Sequence, residues 1–292
     1  MKIMKHAFLI VAHKSPELLR LIVKKLESPN HYMYVHIDKK VDDAPFRAIC
    51  KEIRHVKFYH DINVNWGGFS QIQCTINLLQ AAFNDNMDYY HLISGQDYPC
   101  KSNQEFDAFF EKNKGKSFMY YDTEKEAKLW RLEKYPYRYM YWYFTDTFIL
   151  RNKHLHLLSN YIAKIFNKLF KRKPLKRIYA GWNWFSWSKK VVEYVLLQKK
   201  ENKSYFKRFH FTTCCDEIIF HTLLANHLQE LEINPNNSLR FVEWSPKRHY
   251  TEKLPLVLQE MEYDDIVKSN AVFCRKVELP VSIQLIKMLD NQ

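Results

Sequence analysis

Two short segments carry side chains suited to chemistry at the end of a sheet. Ser94-Gly95-Gln96-Asp97-Tyr98-Pro99 follows a short apolar run, and Asp216-Glu217 heads a helical one. Open α/β sheets bind ligands outside the carboxyl ends of their strands, where a buried strand delivers polar residues. Asp38 closes another apolar run, a place where nucleotide-binding sheets put an acid on the ribose or base. His13 follows a third, where a lone histidine is either a ligand contact or structural. Asp97 either lines a ligand site or caps the turn before Pro99. The acids at 216 and 217 also favour a helix N-terminus through its dipole. Trp182 and Trp184 offer flat indoles that suit the apolar face of a pyranose, whereas Trp66 reads as a structural ring. The chain has only five glycines, and Gly67, Gly68, Gly95 and Gly181 sit beside these clusters. Glycine lets the backbone take positive φ or approach another group closely.

The elements that must position these residues alternate along the first third. Ala7–Ala12 is a continuous apolar run, as expected of a strand covered on both faces. Ser15 and Pro16 supply an N-cap and a first helical position. Helical spacing then predicts Glu17–Leu26, Phe46–Ile53 and Ser70–Asn84, with strands at Tyr32–Ile37, Val56–Tyr59 and Tyr89–Ile93. This alternation implies a mostly parallel sheet with right-handed crossovers. Later segments read as a strand at Trp184–Trp187 and helices at Lys189–Leu197 and Asp216–Ala225. No glycine-rich phosphate loop follows the first strand, so a dinucleotide or P-loop site is excluded.

The 292 residues suit one domain, and hydrophobic residues make up 47%, ample for a core. No repeat or low-complexity linker divides residues 1–292. The net charge of +13 points to an anionic partner without choosing among nucleic acid, lipid and phosphorylated substrates. The six cysteines lack Cys-x-x-Cys spacing, and most read as buried free thiols of a reducing compartment. The first apolar run is too short for a signal peptide, and none approaches the ~18 residues of a membrane span. The expectation is a cytoplasmic chain.

Residues 122–177 break the pattern and read as a substrate-side insertion. Within it, Asn152–Lys176 has apolar residues at helical spacing with lysines and arginines on the other face or at the end. Two readings stand: a helix packed on the core with a solvated basic side, or an interfacial helix on an anionic membrane.

Taken together, five segments resemble glycosyltransferase family 14, the core-2/I-branching β-1,6-N-acetylglucosaminyltransferases and peptide O-xylosyltransferases. They are Ala12-His13-Lys14, His36-Ile37-Asp38-Lys39-Lys40, Asn65-Trp66-Gly67-Gly68-Phe69-Ser70, the Ser94–Pro99 segment and Asp216-Glu217. Phe273-Cys274-Arg275-Lys276-Val277-Glu278 is a weaker match. Each motif alone is weak, but their order spans most of the chain.

The resemblance implies a GT-A-like fold, a UDP-sugar donor, inversion at the anomeric carbon and no metal. The absence of an Asp-x-Asp triplet after the fourth strand agrees. It makes Glu217 the general base for an acceptor hydroxyl. Lys276 falls on the diphosphate-binding lysine, and gapless counting back puts Lys253 at a position where the family has arginine. Arg248 is the rival. His13 and Asp38 fall in the nucleoside pocket, and Asp97 and Tyr98 line the donor site. Trp182, Trp184 and Arg131 are the acceptor-side candidates. The expected activity is transfer of GlcNAc or xylose to a hydroxyl of a glycan or lipid-linked glycan in cell-surface polysaccharide synthesis, without cofactor. A nucleic-acid-binding module is the rival from another class, supported by the charge and interleaved aromatics. An inactive sugar-binding homologue is the third.

Overall fold

The structure is a computed structural model, and it describes residues 3–126, 137–146, 153–170, 172–173, 175, 177–246 and 253–291. The first strands are β1 (His6–Ala12), β2 (His31–Ile37), β3 (Val56–Tyr59) and β4 (Tyr89–Ser94). β5 (Asp97–Pro99), β6 (Ser117–Tyr121), β7 (Gly181–Ser188), β8 (Ile233–Asn234), β9 (Arg240–Val242) and β10 (Phe273–Arg275) follow. One sheet has the order β3-β2-β1-β4-β7-β6-β8, and β5-β10-β9 form a second. β3, β2, β1 and β4 are parallel, β7 runs antiparallel to β4 and β6, and β8 is parallel to β6.

Helices Pro16–Lys25, Ala44–Ile49 and Phe69–Asn84 make the three crossovers. Strand order reverses between β1 and β4, so the crevice beyond their carboxyl ends is the expected ligand position. Gly95 permits the two chains to meet there. A Cβ on it would lie 2.9 Å from Ala12 Cβ, inside contact distance.

β1 explains its own continuous hydrophobicity. Successive strand residues point to opposite faces. Phe8, Ile10 and Ala12 join one core with Leu18, Ile22, Phe106 and Leu285, while Ala7 and Leu9 join another with Ile72, Leu79 and Val192. Each fully buried Phe or Leu contributes roughly 1.5–3 kcal/mol relative to exposure. The buried Arg240 ties the sheets together, donating to Leu92 O at 2.8 Å and Phe185 O at 2.9 Å.

Several expectations shift. Ser15 sits ahead of its helix in the left-handed region, φ 54°, and makes no capping bond. The second helix stops at Ile49, and the strand around Trp184 extends to Gly181–Ser188. Asp216-Glu217 lie on a single 3-10 turn, Cys215–Glu217, before helix Ile219–Leu224. Cys214, at φ 49°, gives its N–H to Gly67 O at 2.8 Å and breaks the run. Helix Asn103–Lys112, unforeseen, starts from a capping box between Ser102 and Glu105.

Candidate active site

The carboxyl ends of β1, β2 and β4 and the amino end of β7 share one edge of the large sheet. The β4–β7 register runs from Tyr89↔Ser188 to His91↔Ser186, which brings Trp184 and Asn183 level with the end of β4. The candidate residues gather along this edge in two neighbouring groups.

The first group is cationic. The Lys276 ammonium is 2.9 Å from Glu278 Oε1, and the Lys14 ammonium is 3.1 Å from the same oxygen. Gln96 Nε2 donates to it at 2.7 Å. Burial pushes the Glu278 carboxyl up, but the hydrogen bonds from Lys276, Lys14 and Gln96 win and bring it down to about 2. His13 is exposed beside them. Burial depresses its pKa first, and Lys14 adds to this; Asp38 opposes, while Lys276 and Lys40 depress it further. It therefore stays neutral among cations. Asp38 is buried at the end of β2, where it accepts the N–H of Lys40 at 3.0 Å and of Val64 at 3.3 Å. Its carboxylate thus also shapes the loops around Lys40 and Val64.

The second group surrounds Glu217. Arg138 Nη1 donates to Glu217 Oε2 at 2.7 Å. Asn183 Nδ2 donates to Asp216 Oδ2 at 3.1 Å. Gly67, at φ 73°, receives the Cys214 N–H, so the Trp66–Gly68 turn braces the turn that carries Glu217. The insertion reaches this turn as well: Thr213 N–H donates to Arg138 O at 3.2 Å. Asp146 accepts from Ser70 N at 2.9 Å and Ser70 Oγ at 2.7 Å. Residues 137–146 therefore close over the end of helix Phe69–Asn84 and the Glu217 turn.

β7 and β10 link the groups. Arg275 lies over Trp184, 4.3 Å from the ring centroid, and Trp184 is the chain neighbour of Asn183. The Arg275 guanidinium also bonds Asp97, 3.1 Å to either oxygen.

Three expected assignments need correction. Asp97 is fully buried, bonded by Ser94 and held by Arg275, so it fixes β5 against β10 rather than lining a donor pocket. Tyr98 is also fully buried, and its hydroxyl donates to Asp290 of the C-terminal helix. Alternation explains both: on β5 these side chains point into the two sheet faces. Trp66 is 83% exposed and is no structural ring. Trp184 is half-buried with Arg275 over its ring. Trp182 clusters with Tyr120 at 5.1 Å and with the exposed Trp244 at 6.5 Å.

Lys253 is exposed at the start of the segment that flanks Lys276. Leu258 N–H donates to Lys276 O at 2.9 Å, and Lys276 N–H to Leu256 O at 3.3 Å. Arg248 and Arg131 lie outside the described residues. Arg138, Asn183 and Glu278 were not among the expected site residues. Glu278 lay inside a quoted motif, whereas Arg138 sits in a Tyr-rich stretch with no pattern to single it out.

A mixed α/β architecture around a mostly parallel sheet is the GT-A-like fold class. The profile of the Core-2/I-Branching enzymes matches residues 6–267, and the chain belongs to that family. It is 22% identical over 311 residues to xylosyltransferase 2 of Rattus norvegicus, covering 97% of this chain and 33% of that protein. Against xylosyltransferase 1 of the same organism it is 22% identical over 310 residues, covering 98% and 35%. The chain therefore spans about a third of the length of these curated relatives. Among solved structures, mouse xyloside xylosyltransferase 1 in its apo form aligns over 92% of this chain and 96% of that one, at 9% identity and a TM-score of 0.35.

Proposed function

We propose that this glycosyltransferase moves GlcNAc or xylose from a UDP-sugar to a hydroxyl of a glycan or lipid-linked glycan, with inversion and without a metal ion. The observations that carry the reading are that Lys276 and Lys14 share Glu278 beyond the end of β1, and that Asn183 of β7 holds Asp216, the chain neighbour of Glu217. Glu217 takes the proton of the acceptor hydroxyl as its oxygen attacks the anomeric carbon. The bond to the diphosphate breaks, and Lys276 with Lys14 stabilises the departing charge. Preorganised cations can supply this in a desolvated site. Asp97 occupies the place after β4 where a carboxylate would hold a metal, and its charge is committed to Arg275. Before the donor arrives, Glu278 holds the two lysines in position. Asp38 and neutral His13 border the nucleoside, and Trp182 with Trp244 gives the acceptor sugar an apolar platform.

The acceptor reading includes a surface. In helix Lys153–Leu169 and just beyond, Leu158, Tyr161, Ile165, Leu169 and Phe170 are all exposed. Ala163 on another face is buried, so part of the apolar set packs and part does not. Lys164 and Lys168 are exposed beside the stripe. Exposed apolar residues bordered by lysines suit the surface of an anionic bilayer. Among the described residues no helix is long and apolar enough to cross a membrane. The enzyme would work at the cytoplasmic face of a membrane, building a cell-surface polysaccharide.

The test is a thermal-shift screen over UDP-sugars with EDTA present, followed by release of UDP in the presence of glycan acceptors. A ligand that binds only the folded state raises its stability by mass action. Stabilisation by UDP-xylose or UDP-GlcNAc in EDTA supports the reading. Binding that requires manganese sinks its metal-free part, and salt-sensitive binding of generic RNA or DNA without any UDP response sinks the whole.

A further inference from the structure

At the opposite edge of the large sheet, three histidines are fully buried: His6, His31 and His91. His6 and His31 are the first register pair of β1 and β2, so their side chains stand side by side on one face. Asp107, on helix Asn103–Lys112, points at both. His31 Nε2 is 2.8 Å from Asp107 Oδ1, and His6 Nε2 is 3.7 Å from the same oxygen. The Asp107 side chain is 33% exposed, so one side of the cluster opens to solvent.

The hydrogen bonds around the cluster leave His6 Nε2 without a partner among the described residues. His31 Nδ1 lies 2.9 Å from Leu26 O. A carbonyl can only accept, so Nδ1 carries the proton. In neutral His31 the Nε2 lone pair then faces a carboxylate, an arrangement that repels. His6 Nε2 has no hydrogen-bond partner among the described residues, although it is buried. Its Nδ1 is 3.1 Å from His91 Nε2, which orients the ring. Asn30 Nδ2 donates to Asp107 Oδ2 at 3.0 Å and orients the carboxylate.

We propose that His6 Nε2, His31 Nε2 and Asp107 Oδ1 bind one zinc-class divalent cation, with water in the open position. Metal-ligating histidines commonly give their other ring N–H to a carbonyl, as His31 does here. Tetrahedral bonds of 2.0–2.1 Å put ligand atoms ~3.3 Å apart, and the two separations here bracket that value. Two imidazoles and a carboxylate suit zinc better than magnesium or calcium. The cation would clamp helix Asn103–Lys112 to β1 and β2. It lies about 20 Å from the candidate active site, a seven-residue strand away. Its role is structural, and the metal-free chemistry proposed above does not depend on it.

Stripping the purified protein with dipicolinate and titrating with zinc tests the site by calorimetry and thermal unfolding. One equivalent should bind, and a hundredfold excess over Kd should raise Tm by roughly 4 °C. Cobalt should give the intense d–d absorption of a four-coordinate site without thiolate charge transfer, which separates this cluster from the free cysteines. Asp107→Asn keeps a hydrogen-bonding side chain but loses the anionic ligand, and should weaken zinc binding at least tenfold with unchanged circular dichroism. Should that variant fail to fold, cobalt must still broaden the His6 and His31 ring signals of the wild-type protein at one equivalent. No saturable binding, binding that Asp107→Asn leaves unaltered, or broadening that spares both rings overturns the proposal. It would leave the cluster as an ion pair of protonated His31 with Asp107.

Discussion

Arg138 Nη1 lies 2.7 Å from Glu217 Oε2 and joins the insertion to the turn that carries the candidate base. The bond holds one oxygen of the carboxylate and so restricts the way Glu217 points. Glu217→Gln should keep the fold and lose roughly two to four orders of magnitude in kcat, the usual contribution of a positioned base. Arg138→Met should lose less, because it removes orientation rather than the proton acceptor, and Arg138→Lys should recover part of the loss. Steady-state UDP release on all three variants checks this. Wild-type turnover in Glu217→Gln removes that residue from the role.

Lys276 should act on the leaving group. Removing one preorganised stabiliser of developing charge commonly costs about 10²–10³ in kcat. Lys276→Ala is expected in that range, with a raised KM for the donor, and Lys276→Arg should retain intermediate activity because a planar fork contacts phosphate differently from an ammonium. An unchanged kcat with only KM affected would reduce Lys276 to ground-state binding.

Glu278 makes part of the stability pH-dependent. Its carboxyl is held at about 2 in the folded protein, against 4.5 for the free group. A depressed carboxylate stabilises the fold fully above its unfolded value and loses that contribution as pH falls. The Tm of wild type should therefore exceed that of Glu278→Gln at pH 7, and the gap should close between pH 4.5 and about 2. A gap that stays constant on acidification contradicts the ion pairs with Lys276 and Lys14.

His13 reports on the donor pocket. Burial and the neighbouring lysines depress its pKa below 6.5. A bound diphosphate brings negative charge, which favours the imidazolium. Histidine NMR should give a midpoint below 6.5 in the free protein and a higher one with UDP. A midpoint that UDP leaves in place would put the nucleotide elsewhere.

Much of this was legible in the sequence, for physical reasons that differ by residue. The strand ends at His13, Asp38 and Ser94 were readable because a strand buried on both faces is an unbroken apolar run with a sharp polar boundary. The reading failed where facing decides the role. Asp97 and Tyr98 lie in the most conspicuous motif, yet the three-residue strand β5, paired with β10, buries both side chains. The start of the Glu217 helix was misjudged because Cys214 takes a left-handed conformation that its residue type does not announce. Helix Asn103–Lys112 carried its signal in Ser102 and Glu105, a capping box. Arg138 had no such signal, because its partner Glu217 is 79 residues away.

The exposed face of helix Lys153–Leu169 leads to the last prediction. Leu158, Tyr161, Ile165 and Leu169 recur at intervals of three or four residues, so they form one stripe, and each is at least 44% exposed. A helix packed on its own core would bury such a stripe, whereas an interfacial helix leaves it free until it meets lipid. Each lysine near an anionic surface contributes about 1 kcal/mol, and the attraction is screened by salt. Sedimentation should therefore recover more protein with vesicles containing phosphatidylglycerol than with phosphatidylcholine alone, and less as salt rises. Reversing both Lys164 and Lys168 to Glu should cut anionic-vesicle binding tenfold or more, while Ile165→Ser with Leu169→Ser should weaken binding even at low salt. Turnover of a soluble acceptor should survive both double variants, since all four side chains are exposed. Equal partitioning onto the two vesicle types would remove the membrane from the account and return the stripe to a protein partner.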